Sequence, residues 1–305
     1  MKRFDSAMFW DASDAMPHDG SMSGDSVSDG AFASGGSESF TNSLYPSAGA
    51  GKPLSHMSDF EQKPSVPAAC KRVYVPMYYE KNYQYPLVVW LHNDGFNENQ
   101  VCQVMPHISD RNHLAVGLRA PQLMDDSGQR FAWSADGESV AAASRQVDAV
   151  IAEMVSQFNI HKDRIVLAGY QSGGSMAMQI ALRQAGKYAA VISMGGQMDW
   201  SLASGLQSGS LPGKPFSILW QRAMLDAGFD QQLILSDVQR VQSLGLPMEL
   251  RQYQDDDEMS TVALNDVNQW IMRHVVAGEG IVSADTRCDA SHDGWKSMQR
   301  TFSDN

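Results

Sequence analysis

A chain of 305 residues, 43% of them hydrophobic, is long enough for one sizeable core, and an α/β sheet domain of this length needs no second domain. The formal net charge of -12 and a pI near 5.0 exclude the clustered basic surface that a nucleic-acid partner requires. Apolar runs all fall short of the roughly 18 residues needed to cross a bilayer, so no membrane span is expected.

The first 65 residues, typified by "DGSMSGDSVSDGAFASGGSESF", are rich in Ser, Gly and Asp and follow neither the helical nor the strand period. Such a segment buries too little apolar surface to offset its ordering, and a disordered tail is expected over residues 1–65. Phe9, Trp10, Phe32 and Phe40 are read as scattered tail residues, with short docking motifs as the alternative. Aspartates interrupt "MKRFDSAMFWDASDAM" sooner than a secretory apolar region tolerates. Cys70, Cys102 and Cys288 form no C-x-x-C pair, which predicts reduced thiols and a cytoplasmic protein.

After "KPSVPAACKR" the texture changes to short apolar runs alternating with longer amphipathic stretches, the pattern of a mostly parallel sheet with helices on both faces. Strands are predicted at Arg72–Val75, Pro86–Leu91, Leu114–Leu118, Arg164–Ala168, Ala190–Met194, Phe216–Trp220 and Met248–Tyr253. "YPLVVWLH" and "RIVLAGY" are the clearest, and their continuous apolar runs imply burial on both faces. Helices are predicted at Ser139–Phe158, Gly174–Gln184, Asp230–Leu244 and Thr261–Val275. The expected organisation is an α/β domain over 66–278 and a flexible tail over 279–305.

The stretch "AGYQSGGSMA" falls where a strand turns into a helix. Gly169 and Gly173 have the spacing of a G-x-S-x-G nucleophile elbow, but the central residue is Gln171 and a serine follows one place late. "DRIVLAGYQSGGSMAMQIAL" resembles the nucleophile segment of the phospholipase/carboxylesterase branch of the α/β-hydrolases, and "YPLVVWLHNDGFNENQ" resembles its strand and H-G-x-G-x-N-E oxyanion loop. The resemblance covers about residues 72–276 and implies an α/β-hydrolase fold with a central sheet of about seven strands.

The same resemblance places the catalytic positions and finds them altered. Gln171 stands at the nucleophile position, and its amide supplies no hydroxyl to attack a carbonyl. The acid, in the family's H-G-x-x-D, corresponds to Asp226 in "RAMLD", with Arg222 and Ala223 in place of the histidine and glycine. The base histidine is missing from "RQYQDDDEMSTVALNDVNQW", where Asp257 or Glu258 stands instead. In the oxyanion loop, whose donors would come from Asn93, Asp94 and Ser172, Asn93 replaces a glycine and Asp94 sets negative charge where an oxyanion would form.

The resemblance therefore implies an esterase-type fold without its chemistry, serving as a binding or interaction module for a small ester-like ligand or a protein. The alternative is a carboxylic-ester or thioester hydrolase with a relocated nucleophile, Ser172, assisted by His92 or Asp257 as base and by Asp226. A further idea makes the N-terminal tail the functional part. His107, His113, His161 and His274 lack a triad context, no cofactor is called for, and the acids of "DDDE" lack a second ligand cluster for a metal.

Overall fold

The computed structural model describes residues 70–200, 215–226 and 230–281. The tail expected over 1–65, the C-terminal residues 282–305 and Cys288 lie outside them. In chain order the elements are β1 (Lys71–Tyr74), β2 (Tyr85–Leu91), α1 (Gln100–Ile108), β3 (Leu114–Leu118), β4 (Gln122–Leu123), β5 (Phe131–Ala132) and α2 (Gly137–Gln157). There follow β6 (Ile160–Tyr170), α3 (Ser172–Arg183), β7 (Ala190–Met194), β8 (Ser217–Ala223), α4 (Gln231–Ser243), β9 (Met248–Tyr253) and α5 (Thr261–Trp270). The last of these runs on as a π-helical turn, Ile271–Val276.

Seven strands form one sheet in the order β1-β3-β2-β6-β7-β8-β9, parallel throughout except for β1, which runs antiparallel to β3 at the edge. All seven residues of β2 and all five of β7 are buried, as continuous apolar strands covered on both faces must be. One apolar cluster joins the sheet to α2, α3 and α4, with Val147, Ile180 and Val241 at its contacts. A second joins the opposite face to α1 and α5, through Val104, Leu264 and Trp270.

This winding fixes where a ligand site belongs. The chain leaves β2 by way of α1 on one face and leaves the adjacent β6 by way of α3 on the other. The loops after these two neighbouring strands diverge, and in open parallel sheets the crevice at such a switch point, at the carboxyl ends of the strands, is where ligands bind.

Several features differ from the sequence expectation, among them strand β8, which runs to Ala223 and not only to Trp220. Helix α1 was not predicted: its first residue follows an Asn-rich loop, its N-cap Asn99 makes no side-chain cap bond, and Pro106 lies within it. The β4–β5 pairing is only two residues long on each side, too short for any periodic signal. Helix α2 begins at Gly137 because Asp136 caps it, accepting from the amides of Glu138 and Ser139. Strand β6 starts at Ile160, where a register shift opposite Tyr85–Leu87 lets the strand extend past the continuous apolar run.

Candidate functional site

Strand β6 ends at Tyr170 and α3 begins at Ser172, so the reversal is concentrated in Gln171, with φ 45° and ψ −115°. A non-glycine residue held there costs about 1–3 kcal/mol and persists only where its surroundings dictate it. Here the Gln171 amide donates to the Met194 carbonyl at 2.7 Å, and the Gln171 carbonyl accepts from the Ser175 amide at 2.9 Å. The paired glycines explain why strand and helix meet so tightly. A Cβ on Gly169 would strike the backbone of Gly173, and one on Gly173 would strike the carbonyls of Leu91 and His92.

The Gln171 side chain is exposed at this apex, and its Nε2 donates to the Tyr170 hydroxyl at 3.0 Å. That hydroxyl donates to Asp257 Oδ1 at 2.7 Å, which also accepts the Met259 amide at 2.7 Å. Burial, reinforced by the Asp257 charge, raises the Tyr170 pKa, so the phenol stays protonated and acts as donor. A continuous chain, Gln171 to Tyr170 to Asp257, therefore spans the elbow.

Ser172 faces the loop after β2. Its Oγ donates to Asp94 Oδ1 at 2.8 Å and accepts the Asp94 amide at 2.9 Å, and the Trp133 amide donates to the same Oδ1 at 3.0 Å. The loop is anchored from below as well. Asn93 is buried and its Oδ1 accepts from Gln100 Nε2 at 2.8 Å, while Gln100 Oε1 accepts from Trp90 Nε1 at 2.9 Å.

His92 is fully buried. Its Nε2 accepts the Ala120 amide at 3.0 Å, which places the proton on Nδ1, and Nδ1 donates to the Asn93 carbonyl at 2.7 Å. Burial lowers its pKa, opposed in part by the Asn93 carbonyl. Both ring nitrogens serve the loop, and neither is left to take a proton from Ser172.

Asp226, in the turn after β8, lies 3.7 Å from Arg222 Nη2. Arg222 is 2% exposed, donates from Nη1 to the Gly195 carbonyl at 2.7 Å, and has its Nε 3.9 Å from Glu258 Oε1. Glu258, also buried, accepts the Ala223 amide at 2.8 Å. Burial raises its pKa, and the Ala223 amide and Arg222 act against that rise. The two adjacent acids thus diverge: Asp257 reaches the elbow through Tyr170, and Glu258 turns inward to Arg222. Among the described residues no three His, Cys, Asp or Glu side chains converge in a way that would hold a metal ion. His113 bonds Asn268 and His274 bonds the Glu279 carbonyl, in α5-side positions apart from the elbow.

Residues 91–274 match the model of the family described as Phospholipase/Carboxylesterase. The chain belongs to this family. Esterase PE8 superposes over 67% of this chain and 97% of its own, with 17% identity and a TM-score of 0.52. The Bacillus cereus carboxylesterase does so over 67% and 94%, with 11% identity and a TM-score of 0.52. Arabidopsis thaliana SOBER1 covers 63% of this chain and all of its own, with 16% identity and a TM-score of 0.52. At such identities the likeness is one of fold. No curated protein shows significant sequence similarity to the chain.

The structure links Gln171, Ser172, Asp94 and Asp257 around the elbow of this fold, with His92 buried next to the loop and Asp226 near Arg222. Sequence reasoning missed Tyr170, Trp133 and Gln100, which tie these residues together. Arg222 left one readable signal. A basic residue two places after "FSILW", in a run that reads as a buried strand, demands a buried acid.

Proposed function

We propose that this protein is a non-catalytic member of the phospholipase/carboxylesterase family, a cytoplasmic pseudoenzyme whose crevice binds a small ester-like ligand or a protein partner. The observation that carries the reading is Gln171 itself, seated at the apex of a retained elbow with φ 45°. An amide there has no hydroxyl or thiol to form an acyl intermediate.

The surrounding groups support the same reading. Ser172 has both its donor and acceptor functions engaged with Asp94, and the Asp94 amide, an oxyanion donor by position, is spent on Ser172 Oγ. The Asp94 carboxylate would oppose negative charge developing beside it. His92 is neutral and doubly bonded, and Asp257 is occupied by Tyr170 and the Met259 amide. A hydrolase using Ser172 with His92 or Asp257 as base, supported by Asp226, would need Ser172 to leave Asp94.

Turnover of p-nitrophenyl acetate and butyrate by the full chain, beside Ser172→Ala, tests the reading. It expects the two proteins to give the same background rate. A rate abolished by Ser172→Ala would establish the relocated nucleophile instead.

A further inference from the structure

Strand β9 is an edge of the sheet and pairs with β8 on one side only. At the two ends of this parallel ladder the Ile218 amide donates to the Pro247 carbonyl at 2.9 Å and the Met224 amide to the Tyr253 carbonyl at 2.8 Å. The alternation between them turns the backbone groups of Glu249 and Arg251 toward β8, and those of Met248, Leu250 and Gln252 toward the free side. Among the described residues no backbone or side-chain partner meets these outward amides and carbonyls. Such a row is a template for another strand.

Apolar side chains flank this edge. On α4, Asp237 accepts from Trp200 Nε1 at 2.7 Å, which turns that side of the helix toward the chain after β7. Its other flank carries Leu235 and Val238 one turn apart, and Leu235 is 49% exposed. On α5, Asp266 accepts from the Tyr253 hydroxyl at 2.8 Å, and Val262, one turn earlier on the same stripe, is 47% exposed.

The charges of β9 select what fits there. Glu249 and Arg251 share one face on either side of Leu250. Arg251 Nε donates to Glu249 Oε1 at 2.7 Å, and its Nη1 lies 3.2 Å from Asp266 Oδ2. In an antiparallel pair of two β9 strands, a two-fold axis near mid-strand passes Glu249, Leu250 or Arg251. The first sets Glu249 against its own copy, and the last does the same with Arg251. An axis at Leu250 instead sets each Glu249 opposite Arg251 of the second copy, in the non-hydrogen-bonded pairs where side chains stand closest. The other edge, β1, has adjacent Lys71 and Arg72, and charges of this kind blunt an edge.

We propose that β9 joins two copies of this chain into one continuous sheet about a two-fold axis at Leu250. Met248 bonds Gln252 of the second copy, Leu250 bonds its counterpart, and Glu249 and Arg251 form a ring of alternating charge with theirs. The contact is isologous and closes at a dimer. Because the two β9 strands run antiparallel, the carboxyl ends of the two sheets point in opposite directions, and the two elbows face separate ligands.

Sedimentation equilibrium of the full chain over a concentration series is the test, with far-UV circular dichroism to check the fold of each variant. The expected result is a reversible monomer–dimer equilibrium of the 33.5 kDa chain. Gln252→Pro deletes an outward amide and should abolish the dimer. Glu249→Arg and Arg251→Glu each set like charges across the seam and should weaken self-association by about tenfold or more. Mixed together, these two variants have matching charges and should form a heterodimer. In the native chain, hydrogen exchange at Met248, Leu250 and Gln252 should be fast in dilute protein and slow on concentration, with Glu249 and Arg251 protected throughout. A monomer at every concentration, a dimer that Gln252→Pro leaves intact, folded charge variants that do not associate on mixing, or outward amides already protected in the monomer would overturn the proposal.

Discussion

Ser172 and Asp94 hold each other by two hydrogen bonds: Ser172 Oγ donates to Asp94 Oδ1 at 2.8 Å, and the Asp94 amide donates to Ser172 Oγ at 2.9 Å. The reciprocal pair joins the N-terminus of α3 to the loop after β2 and consumes the two groups that a relocated nucleophile and its oxyanion hole would need. Its energetic weight is modest because both residues are in contact with water. Ser172→Ala should lower stability by about 1 kcal/mol, read as a small fall in the urea midpoint with an unchanged slope. A loss several times larger would mean that the pair organises more than the loop.

The elbow's backbone strain is testable without any ligand. Gln171→Gly and Gln171→Ala both remove the bond to Tyr170, and they differ in whether φ 45° is tolerated. The glycine variant should be more stable than the alanine variant by about 1 kcal/mol, the strain relieved less the greater unfolded-state freedom of glycine. Thermal melting of the two side by side gives the answer, and equal midpoints would indicate a relaxed turn.

Stability should depend on pH through buried histidine. His113 is fully buried, donates from Nε2 to Asn268 Oδ1 at 3.0 Å, and has its pKa lowered by burial from 6.5 to about 4. A depressed folded-state value means that the unfolded chain binds the proton first. The contribution is complete above about pH 6.5 and is lost as the pH falls toward 4. Between pH 7 and pH 5 the loss from this group is about 2 kcal/mol. Urea midpoints at the two pH values should differ less in His113→Gln than in the parent, the remainder including the contribution of His92, whose pKa burial also lowers.

The Arg222–Glu258 contact should behave as a coupled unit. Arg222→Met leaves Glu258 buried beside an apolar side chain and unties the Gly195 carbonyl, at a cost of about 3–5 kcal/mol. Adding Glu258→Gln removes the stranded charge while keeping an acceptor for the Ala223 amide. The double variant should therefore be more stable than Arg222→Met alone, and a double-mutant cycle by chemical denaturation measures the coupling. Simple additivity would mean that the two charges are independently solvated.

The sheet was legible because its central strands are apolar on both faces: "YPLVVWLH" and "RIVLAGY" are neighbours, β2 beside β6, with Leu91 opposite Gly169. The elbow was legible because Gly169 and Gly173 must touch, and only glycine permits it. Helix α1 was hidden by its uncapped start and by Pro106. The wiring of the crevice was hidden for a different reason. Tyr170 and Asp257 are 87 positions apart, as are Asp94 and Ser172 by 78, and no local pattern announces bonds that only the strand order creates. His92 was read from its position near the elbow as the alternative base only. The feature that occupies it, the Ala120 amide 28 residues on, becomes visible only when β3 lies beside β2.

The most direct test of a crevice without a nucleophile is intact-protein mass spectrometry of the native chain after prolonged exposure to a fluorophosphonate, with an active serine esterase as positive control. The account predicts an unmodified mass for this protein while the control is fully labelled. A stoichiometric phosphonyl adduct mapping to Ser172, and absent from Ser172→Ala, would contradict it.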